Sequence, residues 1–183
     1  MRTYIFLLLI SFAFVTAPAQ TVRYQTYTAV MKISATKDGQ QFQWENKKIS
    51  VVLDYKTGNF TCRLKNTDFY DPGHPQNFET DTVLNQLEYT LSGIFPIRDI
   101  IHQQTIRQDY KVELQLTNQE LMLNQTILFD MNIMRPNPSG GGNYRVFTME
   151  GKLNNAETGL PAFRKFNDEI TIRLGFNGYA VTN

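Results

Sequence analysis

Apolar and polar residues alternate along most of this chain with the two-residue period of a β-strand. In residues 48–53 the apolar positions are Ile49, Val51 and Leu53; in residues 59–65 they are Phe60, Cys62 and Leu64. Residues 110–117 set Val112, Leu114 and Leu116 against Lys111, Glu113 and Gln115. Over residues 121–133 one face carries Leu121, Leu123, Ile127, Phe129, Met131 and Ile133, and Gln125 interrupts it. Phe147, Met149 and Leu153 share a face of residues 144–153, while Ile170, Ile172, Leu174 and Phe176 alternate with Thr171, Arg173 and Gly175. Shorter stretches at residues 29–33, 41–44 and 87–95 continue the pattern, the last through Tyr89, Leu91 and Phe95.

Turn residues punctuate these segments. Lys37-Asp38-Gly39 carries the Asp-Gly hairpin signal, and Gly58 supplies the positive φ needed to close the turn over residues 54–59. Asn118-Gln119-Glu120 predicts another turn, and Pro136 to Gly142 (PNPSGGG) a loop. Helical spacing occurs only at residues 81–87, through Val83, Leu84 and Leu87 with Thr80 or Asp81 as cap. Residues 97–106 fit either state. The prediction is an all-β chain: one antiparallel domain of about eight strands, with one or two short helices in the loops. A closed barrel and a two-sheet sandwich both satisfy this alternation.

A chain of 183 residues favours one domain, but the first nineteen stand apart. Arg2 precedes eleven residues, Ile5 to Val15, with only Ser11 polar, and Ala17-Pro18-Ala19 follows. This is the layout of a secretory signal cleaved after Ala19; the apolar run is too short for a membrane span. The expected product is residues 20–183, exported to the periplasm or secreted, with no integral membrane span. Without Arg2, 17 basic residues face 17 acidic ones, and no basic stripe suits a nucleic acid. Cys62 is the only cysteine, so no intramolecular disulfide forms.

Candidate chemistry is sparse. His74 and His102 stand in no metal-ligand spacing, and Gly-x-Ser-x-Gly is absent. Ser139-Gly140-Gly141-Gly142 follows no strand-to-helix pattern and is no phosphate cradle. Cys62 faces inward among Val51, Phe60 and Leu64, where a thiol is inert. Asp68, Asp71, Asp168 and Glu169 read as turn and strand-end residues. No catalytic residue, metal or cofactor is predicted.

What remains is an apolar wall. Its candidate members are Ile49, Val51, Leu53, Phe60, Cys62 and Leu64 from the first hairpin, with Leu91. Leu114, Leu116, Gln125, Ile127 and Phe129 follow from the central hairpin, and Phe147, Met149, Ile172 and Leu174 from the last two strands. A barrel of about eight strands either fills its interior with side chains or holds one small ligand. The residues leave both open. Gln125 favours a cavity, since a buried amide needs partners and could meet a polar head. A filled core would instead suit a closed β-domain acting without a ligand in envelope stress response or protein–protein interaction, with Tyr24, Tyr27, Tyr55 or Tyr70 as an exposed aromatic patch.

Four stretches resemble the YceI-like family of exported bacterial proteins, in the variant common in Bacteroidetes. They are ENKKISVVLDYKTGNFTCRLKNTDF (45–69), HPQNFETDTVLNQLEYTLSGIF (74–95), YKVELQLTNQELMLNQTILFDMNI (110–133) and FTMEGKLNNAETGLPAFRKFNDEITIRLGFNGY (147–179). The last is the strongest. The run His74-Pro75-Gln76-Asn77-Phe78-Glu79 departs from the family's order, and Thr117-Asn118-Gln119-Glu120 replaces its usual central turn. The resemblance implies a lipocalin-like barrel around a long hydrophobic pocket. It implies a polyisoprenoid, fatty-acyl or other amphiphilic lipid as the bound partner, held or carried without covalent chemistry.

Overall fold

The fold is described from a computed structural model, over residues 23–26, 28–73, 87–103, 105–136, 144–154 and 169–179. The signal segment, His74, the helix expected at 81–87 apart from Leu87, and the glycine loop beyond Pro136 lie outside them, as does Asp168.

Ten strands follow one another: β1 (Arg23–Thr26), β2 (Val30–Lys37), β3 (Gln40–Asn46), β4 (Ser50–Asp54), β5 (Asn59–Lys65), β6 (Glu88–Ile94), β7 (Arg107–Asn118), β8 (Leu123–Met134), β9 (Tyr144–Asn154) and β10 (Glu169–Tyr179). Helix α1 (Ile97–His102) joins β6 to β7, and Asn66–Asp68 form a 3-10 turn. All strand pairs are antiparallel, in the order β1-β4-β5-β6-β7-β8-β9-β10-β2-β3.

That order bends the sheet into a barrel. β1 pairs with β4 at one end of the order, and β2 pairs with β10 near the other. Only residues 27–29 separate β1 from β2, a reach of at most about 14 Å, so β4 and β10 must approach. They do: a Cβ on Gly178 of β10 would lie 2.5 Å from the Tyr55 hydroxyl, just after β4. β3 fills the rest of the seam. Glu45 and Tyr70 exchange two backbone hydrogen bonds of 2.9 Å, and Asn46 Nδ2 donates to the Lys65 carbonyl at 3.4 Å. With β1 and β2 as one bent path and β3 as a flap, the ten strands make eight staves.

The turns follow their local chemistry. Asp38 and Gly39 have φ of 51° and 79°, the mirror-image turn that an Asp-Gly pair favours. Asp54 Oδ1 accepts from the Lys56 and Thr57 amides at 2.8 and 3.2 Å, and Gly58 takes φ 79°. A Cβ on Gly58 would overlap the Phe95 carbonyl oxygen, and the Phe95 amide donates to the Gly58 carbonyl at 2.8 Å. The β4–β5 tip is thereby clasped to the chain entering α1.

Two segments differ from expectation. β8 starts at Leu123, not Leu121, because the Asn118 side chain accepts the Leu121 amide at 2.8 Å and Met122 turns at φ 50°. β7 starts at Arg107, and α1 takes the first six of the ambiguous residues 97–106. Ile97 and Ile100 are buried in the barrel end, and Arg145 Nη1 and Nη2 donate to the Ile100 and Ile101 carbonyls at 2.6 and 3.4 Å. Those carbonyls belong to the last turn, where the helix itself offers no donors. Desolvation lowers the Arg145 pKa from its ordinary value.

The outer face is polar and ion-paired. Lys111–Asp130, Arg173–Glu150 and Lys152–Glu169 meet across strands at 3.1, 2.7 and 2.8 Å. Exposed pairs of this kind contribute about 0–1 kcal/mol each; they mark which side faces water.

Candidate ligand-binding interior

The strand register gathers the predicted wall onto one surface. Val51, Cys62, Leu91, Leu116 and Gln125 form a row across β4 to β8, each opposite the next. Leu53, Phe60, Gly93, Leu114 and Ile127 form the next row. Phe129, Gly151 and Ile172 face one another across β8 to β10, followed by Met131, Met149, Leu174 and, on β2, Met31. Ile49 and Leu64 are also buried on this face. All sixteen candidate residues share it; Gln125 alone among them is half-buried.

The interior differs between its two ends. At the α1 end four phenylalanines from distant parts of the chain meet. Phe60 stacks on Phe95 (centroids 4.6 Å apart, planes 11°), and Phe147 stacks on Phe176 (4.7 Å, 2°). Phe60 and Phe176 join the two pairs at 5.7 Å. This plug closes that end. Mid-barrel is also filled: a Cβ on Gly151 would come within 2.8 Å of the Phe129 ring, which lies over the glycine.

Packing loosens toward the opposite end, where β7 turns into β8. Cys62, Leu114, Phe129 and Phe147 are 0% exposed, whereas Leu64 and Leu116 reach 7%. Tyr89, opposite Leu64, is half-buried, as are Leu121, Leu123 and Gln125. Tyr89 was not among the predicted wall residues. Its signal was the alternation itself, since it stands two residues before Leu91. Burial, and next the nearby Glu120 carboxylate, raise its hydroxyl pKa. Asn118, buried at the same rim, is fully engaged: Nδ2 donates to the Glu88 carbonyl at 3.0 Å while Oδ1 accepts from Leu121.

The residues weighed for chemistry are dispersed. The Cys62 thiol is pushed up to about 12 by burial and is not a nucleophile at neutral pH. His102 ends α1 exposed, and Asp71 accepts the Gly73 amide at 2.7 Å, a turn role. Asp68 pairs with Lys48 at 3.5 Å. Among the described residues no three His, Cys, Asp or Glu side chains gather to hold a metal, and no helix is long and apolar enough to cross a membrane. Tyr55 packs against the barrel end and Tyr70 lies under Lys47 (5.6 Å), so these two do not form a shared patch. Tyr27 lies outside the described residues.

The architecture is therefore an antiparallel, lipocalin-like barrel with an apolar interior, plugged at one end. A solved polyisoprenoid binding domain from Saccharophagus degradans, implicated in plant cell wall breakdown, has the same fold: TM-score 0.64 over 88% of this chain and 100% of that one, at 9% identity. At that identity the likeness speaks for the fold alone. No family model and no curated protein matches the chain.

Proposed function

We propose that this chain is an exported, YceI-like binding protein that holds a long-chain amphiphile in the barrel interior and carries out no covalent chemistry. The observation that carries the reading is the interior itself. Every stave contributes apolar side chains to one enclosed face, and polar groups enter it at the loosely packed end. The likeness to a polyisoprenoid binding domain supports a prenyl or fatty-acyl tail as the ligand class. Burying such a tail stabilises by roughly 0.8 kcal/mol per CH₂, so affinity needs few polar contacts. The export step belongs to the same proposal and rests on the apolar segment before Ala19.

A specific observation favours a second reading. The four-phenylalanine plug and the 0% exposure of the mid-barrel side chains suit a closed-core interaction domain. Native mass spectrometry of the gently purified protein separates the two. The first reading expects a bound species of several hundred daltons, or its appearance on incubation with a prenyl lipid. A clean apo mass with no uptake of prenyl lipid or a fluorescent fatty acid would overturn it. N-terminal sequencing of the exported product should begin at Gln20.

A further inference from the structure

The interior has a direction, and its looser end has a definite chemistry. Gln125 lies on the inner face one row below the rim, opposite Leu116 on β7. Tyr89 stands on the rim, opposite Leu64 on β5. Neither side chain makes a hydrogen bond to another described residue, although both are half-buried beside an apolar wall. Each can donate and accept. The charge nearest the Tyr89 hydroxyl is acidic. Glu120 lies close enough to Tyr89 to influence its hydroxyl, whereas Glu88 faces outward opposite Lys65. Among the described residues no lysine or arginine faces inward at this end; Arg63 and Lys65 point outward on β5.

We propose that Gln125 and Tyr89 form the head-group site of the amphiphile: its tail enters at the β7–β8 end, and its head is an uncharged hydrogen-bonding group such as an alcohol or a carbonyl. This rests on the amphiphile-binding reading above. Four observations converge on it. The opposite end is closed by α1 and the stacked rings, so the head cannot lie there. Along β5, β6 and β8 the inward side chains become more exposed toward this end, from Cys62, Leu91 and Ile127 to Leu64, Tyr89 and Gln125. A hydroxyl or carbonyl matches the donors and acceptors of an amide and a phenol. A phosphate or diphosphate would lose hydration next to the Glu120 carboxylate, with no inward lysine or arginine among the described residues to replace it.

The test compares three probes with one tail: geranylgeraniol, geranylgeranyl diphosphate and the corresponding C20 hydrocarbon, each titrated into the full exported chain. The alcohol should bind most tightly of the three. Gln125→Leu should weaken alcohol binding roughly three- to tenfold and leave the hydrocarbon unchanged; Tyr89→Phe should act in the same direction. Diphosphate binding tighter than the alcohol, or alcohol affinity unmoved by both substitutions, would overturn the head-group site while leaving the amphiphile-binding reading intact. Failure of all three probes to bind the wild-type protein would overturn both.

Discussion

Phe147→Ala tests the closed end of the barrel most directly. Phe147 is 0% exposed, stacked on Phe176 at 4.7 Å and tilted against Phe95 at 6.3 Å. Its ring also lies over Gly178, where a Cβ would come within 2.8 Å of it. Deleting the ring removes its transfer free energy and leaves a cavity, because β5 and β10 hold Phe60 and Phe176, and the Gly58 carbonyl holds the Phe95 amide, on a hydrogen-bonded frame. Large-to-small changes at such sites cost about 3–5 kcal/mol, of which the lost aromatic pairing is roughly 1. With a urea slope of about 2 kcal/mol/M, the unfolding midpoint should fall by about 2 M. A domain in the middle of the usual range, about 10 kcal/mol, survives that loss, so the variant should still fold. Equilibrium unfolding followed by far-UV circular dichroism measures it, with Met122→Ala as control; that side chain is 92% exposed and its removal should change stability by less than about 0.5 kcal/mol. A loss under about 1 kcal/mol for Phe147→Ala, at unchanged slope, would mean that the four rings do not form a packed plug.

Three further outcomes follow from local geometry. Gly58→Ala should destabilise by more than Gly39→Ala, because Gly39 has only its φ of 79° to strain while a Cβ on Gly58 also overlaps the Phe95 carbonyl; equal losses in denaturant titration would contradict this. Cys62 should resist thiol reagents at pH 8 at a rate set by unfolding. Since burial raises its folded pKa to about 12 from the ordinary thiol value of 9.0, the stability it contributes is present below pH 9 and is lost as pH rises from 9 toward 12. A Cys62→Ala variant losing as much stability over that window would argue against this linkage. Arg145→Met should cost about 1–3 kcal/mol by orphaning two α1 carbonyls, and Arg145→Lys should recover only part of it. Amide exchange in residues 97–103 reports the loosening, and protection there equal to wild type would refute the tie.

Much of the fold was legible because it is local. The β4–β5 hairpin needs only alternating side chains, the Asp54 cap and one glycine, all within residues 49–65. Other elements were illegible for equally physical reasons. Arg23–Thr26 shows no apolar alternation and is a strand only because β4 offers it a ladder. Leu121 matched the apolar face of β8 and still fell in a turn, since the Asn118 side chain competes for its amide. Residues 97–106 carried no decisive period; burial of Ile97 and Ile100 and the Arg145 hydrogen bonds select the helix.

The candidate interior divides along the same line. By itself the sequence determined which side chains face inward, because a period of two assigns faces without knowledge of any partner strand. It also determined that the only cysteine is a core group and that Gln125 breaks an apolar face. Whether that face encloses a filled or an open space depends on volume, and volume depends on which strands meet. Phe60, Phe95, Phe147 and Phe176 are far apart in the chain, and only closure of the barrel stacks them at one end. The same closure leaves Tyr89 and Gln125 at the other. Alternation assigns each of these residues a face; the tertiary structure alone assigns it an end.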